Sequence, residues 1–133
     1  ARVFDLFKQF PSELGLTWMG SQDSRDTFRQ ILSEETGTVL VADWEGHLVG
    51  IITLSYAVAI HCGGLYACIE EFVVSEHMRG KGVGGQLLQA ALAEASSRGC
   101  KEIQVYEPSK LGYPLYLQQG FKNTGIHMMM KLP

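Results

Sequence analysis

The sequence lacks the features of several large classes of protein. Its three cysteines show no C-x-x-C spacing and its four histidines are scattered, so neither a disulfide framework nor a metal site is predicted. A net charge of −3 argues against a nucleic-acid-binding domain, which is usually basic. There is no recognisable signal peptide and no apolar run long enough to cross a bilayer. We therefore expect a cytoplasmic protein without a nucleic-acid or membrane partner.

The composition that is present suits a single globular domain. The 133 residues are 46% hydrophobic and 19% charged, which is enough apolar material for one core and too little chain for two ordinary domains. We interpret residues 1–37 as N-terminal helices with a loop, and residues 38–131 as the core of the domain.

A glycine loop is the most informative feature of the chain. Residues 69–98 begin with an apolar, β-branched stretch and end with helical spacing of leucine and alanine. The loop between them reads Arg79-Gly80-Lys81-Gly82-Val83-Gly84-Gly85. Four glycines let the backbone curl tightly, and the unpaired N–H groups at the start of the following helix attract phosphate oxygens. The pattern predicts an anion site between a strand and a helix.

The first half of the chain predicts two helices followed by an antiparallel meander. Apolar spacing predicts a short helix from Val3 to Phe10, and residues 12–22 are interpreted as a loop. Ser24 is expected to cap a second helix that runs to Glu35, with Phe28, Ile31 and Leu32 on one face and Gly37 just beyond its end. The predicted strands then cover residues 38–44, 47–60 and 65–74, with a tight turn at Glu45-Gly46.

The second half predicts two further helices and two further strands. The helix after the glycine loop should end near Gly99, and a short strand at residues 101–106 should be broken by Pro108. Residues 113–119 suit about two helical turns that stop at Gly120. The last predicted strand covers residues 121–131, and its Met128–Met130 run is expected to be buried.

Two familiar interpretations of the glycine loop do not fit. Gly80-x-Gly82-x-x-Gly85 matches the dinucleotide fingerprint, but a meander precedes it and too few residues follow it for a doubly wound parallel sheet. A phosphate loop of the nucleotide-triphosphatase kind needs Lys-Ser or Lys-Thr after its last glycine, and Gln86-Leu87 stands here.

The surroundings of the loop match a third pattern. Arg79-x-x-Gly82-x-Gly84, between an apolar strand and an amphipathic helix, resembles the acyl-coenzyme A signature of the GNAT superfamily of N-acetyltransferases. Residues 115–121, Leu-Tyr-Leu-Gln-Gln-Gly-Phe, resemble the later L-Y-x-x-x-G-F element of that superfamily. The resemblance implies an α+β, three-layer fold with a mixed, mostly antiparallel sheet between helices and a splayed strand pair that holds acetyl-CoA. The superfamily's usual first strand has no counterpart before the first helix here.

The resemblance also implies a set of cofactor-binding residues. The pantetheine arm of acetyl-CoA would meet the backbone of Phe72, Val73 and Val74, and the pyrophosphate would meet N–H groups of the glycine loop. The implied loop residues are Arg79, Gly80, Lys81, Gly82, Val83, Gly84 and Gly85. Ser109 stands where many members carry an asparagine that bonds the pantetheine arm.

The catalytic residues are implied in the same way. Tyr116 matches the tyrosine that acts as the acid on the coenzyme A sulfur. Ile69–Val74, I-E-E-F-V-V, resembles the L-E-D-F-F-V pattern of polyamine-type members, in which the first carboxylate relays a proton through water, so Glu70 is the predicted base. Because adjacent strand residues point to opposite faces, only one glutamate is expected to face the pocket and Glu71 is interpreted as structural. Solvent alone could also take the proton.

These observations predict an enzyme that transfers the acetyl group of acetyl-CoA to a primary amine by direct attack in a ternary complex. Cys62, Cys68 and Cys100 have no adjacent base, which argues against a covalent intermediate. The sequence does not decide between a polyamine, an aminoglycoside-like antibiotic, an amino acid and a protein amine as the acceptor. Some protein-acetylating members of the superfamily carry a glutamate where this chain has Gln104, which argues against a ribosomal protein as the acceptor. The alternative is a non-catalytic, acyl-CoA-binding regulatory domain. A homodimer is a common state for domains of this size.

Overall fold

Helices pack on both faces of one four-stranded sheet. The computed structural model describes residues 2–7, 21–125 and 127–133. In chain order its elements are α1 (Arg2–Phe7), α2 (Gln22–Glu34), β1 (Gly37–Trp44), β2 (His47–Ala59), β3 (Gly64–Val74), a 3-10 turn (Glu76–Met78), α3 (Val83–Ser97), β4 (Ile103–Val105) and α4 (Tyr113–Gln118). The predicted α+β class is confirmed. None of the described helices combines the length and apolar composition needed to span a bilayer.

The sheet has the strand order β1-β2-β3-β4. β1, β2 and β3 form the expected antiparallel meander, whereas β4 runs parallel to β3. The turn from β1 to β2 is made by Glu45 and Gly46, both with positive φ angles of 51° and 82°, as a two-residue hairpin turn requires. The described part of the sheet therefore begins with the predicted hairpin.

A β-bulge interrupts β3 at Glu70. Thr53 of β2 pairs with Glu71, and the next residue, Leu54, pairs with Ile69, so Glu70 has no partner of its own on β2. A bulge of this kind inserts one residue and shifts the alternation of the strand beyond it. The residues of β3 after the bulge therefore present their side chains in the opposite phase to the residues before it.

The core lies mainly between the sheet and α3. Ile52, Leu54 and Ile69 on the sheet pack against the helical residues Leu87 and Leu88, and all five are buried. On the opposite face, α1 buries its two phenylalanines and Leu6 against Ile51 and Val73. Phe28 of α2 packs against this second cluster.

The start and end of α2 differ from the expectation. Ser21, not Ser24, is the N-cap, since its hydroxyl accepts a hydrogen bond from the Ser24 N–H at 3.1 Å. The helix ends at Glu34, its C-cap Glu35 has the left-handed conformation, and Gly37 already belongs to β1. Leu32, expected on the apolar face, is exposed. The predicted loop at residues 12–22 and the last part of the first predicted helix lie largely outside the described residues.

The predicted final strand is wrong for the residues that the structure describes. Residues 121–125 and 127–133 form no strand there, and the side chains of Met128, Met129 and Met130 are 88%, 70% and 78% exposed. An apolar run is buried only where a sheet edge or a helix covers it. The neighbouring edge strand, β4, is three residues long, so it offers little backbone for pairing.

Candidate active site

A pocket of about 320 Å³ lies where the end of β3, the glycine loop and the chain before α4 meet. Most of the predicted cofactor-binding residues line it. They are Phe72, Val73, Val74, Arg79, Gly80, Gly82, Val83, Gly84, Gly85 and Ser109, and they are joined by Met78, Leu111, Gly112, Pro114 and Leu115. Lys81 is exposed and is not part of the lining. The fold thus gathers two distant stretches of sequence around one cavity.

The pocket occupies a gap in the sheet. β3 and β4 are paired only from Ala67 to Ile69 on one side and Ile103 to Val105 on the other. Glu107 then takes a positive φ of 48° and Pro108 follows, which turns the chain away from the sheet. Among the described residues, no strand pairs with this side of β3 beyond Ile69. The end of β3 is therefore an open edge.

The bulge decides which backbone groups face this gap. The Ser75 N–H donates to the Val49 carbonyl at 2.7 Å, so the backbone groups of Ser75 point towards β2. Antiparallel strands alternate hydrogen-bonded and non-hydrogen-bonded pairs. The backbone groups of Val73 therefore also point towards β2, whereas those of Phe72 and Val74 point away from β2. The N–H and C=O groups of Phe72 and Val74 therefore lie along the open edge.

The glycine loop supplies a second set of donors. Gly80 and Gly82 have φ angles of 78° and 84°, in the left-handed region that favours glycine. Gly82 is the N-cap of α3, so the N–H groups of Val83 to Gly85 have no intrahelical acceptor. These donors and the positive end of the helix dipole attract a phosphate group. The glycine loop can therefore bind an anion at the mouth of the gap beside β3.

Gly84 also brings the helix close to the neighbouring side chains. A Cβ at this position would lie 2.9 Å from Leu115 Cδ1 and 3.6 Å from the ring of Phe72. No larger residue fits without moving Leu115. The absence of a Cβ at Gly84 thus lets α3, α4 and β3 approach one another beside the pocket.

Two polar side chains fix the walls of the pocket. Arg79 Nε donates to the Val74 carbonyl at 3.2 Å, so the arginine braces the end of the open strand. On the opposite wall, Ser109 Oγ accepts a hydrogen bond from the Gly112 N–H at 3.0 Å. The Ser109 hydroxyl keeps its own proton to donate to a ligand.

Tyr116 lies directly behind the lining of the pocket. Its side chain is 4% exposed, and its ring makes edge contacts with the rings of Phe72 and Phe121 at centroid distances of 6.0 and 5.1 Å. Burial raises the pKa of the Tyr116 phenol above its usual value, with a smaller contribution from the Cys68 thiol. The hydroxyl is therefore protonated at neutral pH, which is the form that can donate a proton.

The two glutamates lie on one face of the sheet, contrary to the prediction that only one of them can face the site. Ser55 Oγ donates to Glu70 Oε2 at 2.6 Å, and Thr53 Oγ1 donates to Glu71 Oε2. Thr53 and Ser55 are two residues apart on β2 and share a face. The bulge is the reason, because it cancels the alternation between Glu70 and Glu71. Neither carboxylate lines the 320 Å³ pocket itself.

Cys68 lies beside this carboxylate pair. Its thiol is buried, and burial followed by the charge of Glu70 raises its pKa to about 12. A thiol with this pKa carries almost no thiolate at neutral pH, and the thiolate is the nucleophilic form. Cys68 is thus an inert neighbour of the two glutamates.

Sequence reasoning missed the residues on the α4 side of the pocket and the two hydroxyls of β2. Gly112 could have been found, because it precedes Tyr116 by four residues and so shares its helix face. Thr53 and Ser55 could also have been found, since they are polar residues spaced by two within an otherwise apolar strand.

Comparison with known proteins gives consistent results. The model of the Acetyltransferase (GNAT) family matches residues 2–121. An aminoalkylphosphonate N-acetyltransferase from Salmonella typhimurium is 30% identical over 105 residues, which span 77% of this chain and 68% of that protein. Among solved structures, a glucosamine-6-phosphate N-acetyltransferase from Arabidopsis thaliana has a TM-score of 0.79 at 21% identity, over 98% of this chain and 88% of that one. A predicted acetyltransferase from Clostridium acetobutylicum, solved with acetyl-CoA, has a TM-score of 0.80 at 18% identity, over 97% and 87%.

Proposed function

Since the chain belongs to the GNAT acetyltransferase family, we propose that it transfers the acetyl group of acetyl-CoA to a primary amine. The observation that carries this proposal is the open edge of β3 beside the glycine loop. Phe72 and Val74 present backbone groups that no described strand pairs along the gap, and α3 presents its N-terminus at the mouth. An arm that carries amide groups at one end and a pyrophosphate at the other fits this arrangement.

The proposed contacts follow from the direction of each group. The N–H and C=O groups of Phe72 and Val74 would bond the pantetheine amides as an additional strand does. The N–H groups of Gly82 to Gly85 would hold the pyrophosphate, with Arg79 and Lys81 adding positive charge near it. Ser109 would donate its hydroxyl proton to the arm from the opposite wall. Bound acetyl-CoA supplies the activated thioester.

The proposed acid and base lie on the two opposite faces of the sheet. Tyr116 packs with α3 on one face, and Glu70 lies with Ser55 on the other. A primary amine has a pKa of about 10.4, so it must lose a proton before it attacks the thioester carbon. We propose that Glu70 takes this proton through a water molecule. Tyr116 protonates the departing sulfur, so that free coenzyme A leaves as a thiol.

Direct attack by the amine is the proposed route. The alternative, an acyl-enzyme on cysteine, requires a thiolate next to a base. Cys68 is the cysteine beside the glutamates, and its pKa of about 12 keeps it protonated. The acetyl group would therefore pass from sulfur to nitrogen in one ternary complex.

The acceptor is proposed to be a small primary amine. The similar Salmonella typhimurium protein is named for aminoalkylphosphonates and the similar Arabidopsis thaliana structure for glucosamine-6-phosphate, so both compounds belong in a first acceptor panel. A polyamine, an aminoglycoside and an amino acid complete it. Acetylated product, detected by mass spectrometry after incubation with acetyl-CoA, tests the proposal; failure of every amine while acetyl-CoA binds would contradict it.

The proposed role of the glycine loop can be tested with a matched pair of variants. Gly82→Ala should weaken acetyl-CoA binding about tenfold, equivalent to about 1.4 kcal/mol, because alanine resists the φ of 84° and relaxation displaces the N–H donors of α3. Gly46→Ala is the control, since Gly46 has a φ of 82° in the β1–β2 turn and, like Gly82, has no atom within 4 Å of an added Cβ. Calorimetric titration with acetyl-CoA should separate the two, and equal affinities would remove Gly82 from the site.

A further inference from the structure

Thr53 is a buried polar residue in the centre of the sheet. Its side chain is 7% exposed, whereas its neighbours along β2, Ile52 and Leu54, belong to the core. A buried hydroxyl is costly unless its hydrogen bonds are satisfied. Both of its bonds go to one residue, Glu71.

The Thr53 hydroxyl bonds the backbone and the side chain of Glu71 at the same time. Oγ1 accepts a hydrogen bond from the Glu71 N–H at 3.0 Å and donates its own proton to Glu71 Oε2. The register changes at this point, where Thr53 pairs with Glu71 and Glu70 is the extra residue. One hydroxyl thus satisfies a backbone donor next to the bulge and fixes the carboxylate.

We propose that Thr53 is a positioning residue for acetyl transfer: it stabilises the bulge and holds the Glu71 carboxylate on the same face as Glu70, so that both carboxylates serve the acceptor amine. This inference rests on the proposed function. In this arrangement Glu71, as an anion, attracts the substrate ammonium group, and Glu70 takes its proton. Without the bulge, strand alternation would turn one of the two carboxylates to the opposite face.

Thr53 also sets the charge of Glu71. Burial raises the pKa of Glu71, the hydrogen bond from Thr53 lowers it, and the negative charge of Glu70 raises it. The negative charge of Glu71 in turn contributes to the raised pKa of the Cys68 thiol, which is neutral at these pH values. Loss of the Thr53 bond leaves only the two raising influences, so Glu71 would stay protonated to a higher pH.

The test is the pH profile of kcat/KM for the amine. Thr53→Val keeps the shape of the side chain and loses the hydroxyl. The acid limb of its profile, where kcat/KM falls as the pH is lowered, should move to higher pH by roughly one unit, since the free energy of a hydrogen bond to a charged group corresponds to about one pKa unit. At pH values below this limb, kcat/KM of Thr53→Val should be about tenfold lower than that of the wild type, mainly because KM for the amine is higher. Thr53→Ser, which keeps the hydroxyl, should restore the original limb.

Thr38→Val is the matched control. Thr38 is also a buried threonine of the sheet, and its hydroxyl bonds the Tyr56 hydroxyl at 2.5 Å away from the carboxylate pair. It should lower stability without moving the limb. An acid limb in Thr53→Val that coincides with the wild-type limb would overturn the proposal, and so would a shift that Thr53→Ser does not reverse.

A second measurement separates this inference from the proposed function. Carbon NMR titration of the Glu71 carboxyl needs no turnover, and its pKa should be higher in Thr53→Val than in wild type and Thr53→Ser. If no amine is acetylated, the proposed function fails; an unchanged Glu71 titration overturns the role of Thr53 independently. Should Thr53→Val not fold, Glu71→Gln, which keeps the backbone bond to Thr53, should raise KM for the amine, and an unchanged KM would overturn the inference.

Discussion

Replacement of Tyr116 by phenylalanine is expected to lower kcat by roughly 10² to 10⁴-fold, the usual contribution of a positioned general acid. The change removes only the hydroxyl. The ring contacts with Phe72 and Phe121 and the burial in the core are kept, so the Kd for acetyl-CoA should be nearly unchanged. Steady-state kinetics and calorimetric titration of the same preparation measure the two quantities.

Tyr56→Phe is the matched control for this prediction. Tyr56 also packs against the α3 side of the core, and its hydroxyl bonds the Thr38 hydroxyl. It should keep kcat while losing some stability. If Tyr116→Phe turned over as fast as wild type, Tyr116 would have no part in the mechanism. If kcat, the melting temperature and the affinity for acetyl-CoA all fell in Tyr116→Phe, the role of the Tyr116 hydroxyl would be structural.

Replacement of Glu70 by glutamine is expected to lower kcat/KM for the amine by about 10²-fold at pH 7. Glutamine keeps the size of the side chain and a carbonyl oxygen for the Ser55 hydroxyl, but it cannot accept a proton. The loss should shrink as the pH rises towards the amine pKa of about 10.4, because the free amine then needs no base. The measurement is kcat/KM across this pH range.

Glu94→Gln serves as the control for Glu70→Gln, since Glu94 lies on α3 and pairs with Arg98. It should behave as wild type at every pH. A Glu70→Gln profile that matches wild type would exclude Glu70 as the base. A pH-dependent loss in Glu71→Gln alone would assign the proton to Glu71.

The sequence was informative wherever local chemistry decides the structure. The glycine loop, the hairpin turn at Glu45-Gly46 and the helical spacing after Gly85 each predict an element that the structure contains. Most of the predicted cofactor residues line one pocket because a strand, a loop and a helix that are consecutive in sequence must also be adjacent in space. This part of the site needed no long-range information.

The features that sequence reasoning missed depend on pairing between distant segments. The bulge at Glu70 is a property of the register between β2 and β3, and no residue type marks it in the sequence. The expectation of opposite faces for Glu70 and Glu71 therefore followed a correct rule for a regular strand and failed here. The exposed Met128–Met130 run is similar, since composition predicts burial only when a partner surface exists.

The central claim is that the gap beside β3 binds acetyl-CoA so that an amine can take its acetyl group. The most direct test is the release of coenzyme A thiol, followed with a thiol reagent, when the acceptor panel is added to the protein with acetyl-CoA. We predict thiol release that needs both the protein and an amine and that is strongly reduced in Tyr116→Phe. Saturable binding of acetyl-CoA without thiol release for every amine class would contradict the claim and would identify a non-catalytic acyl-CoA-binding domain.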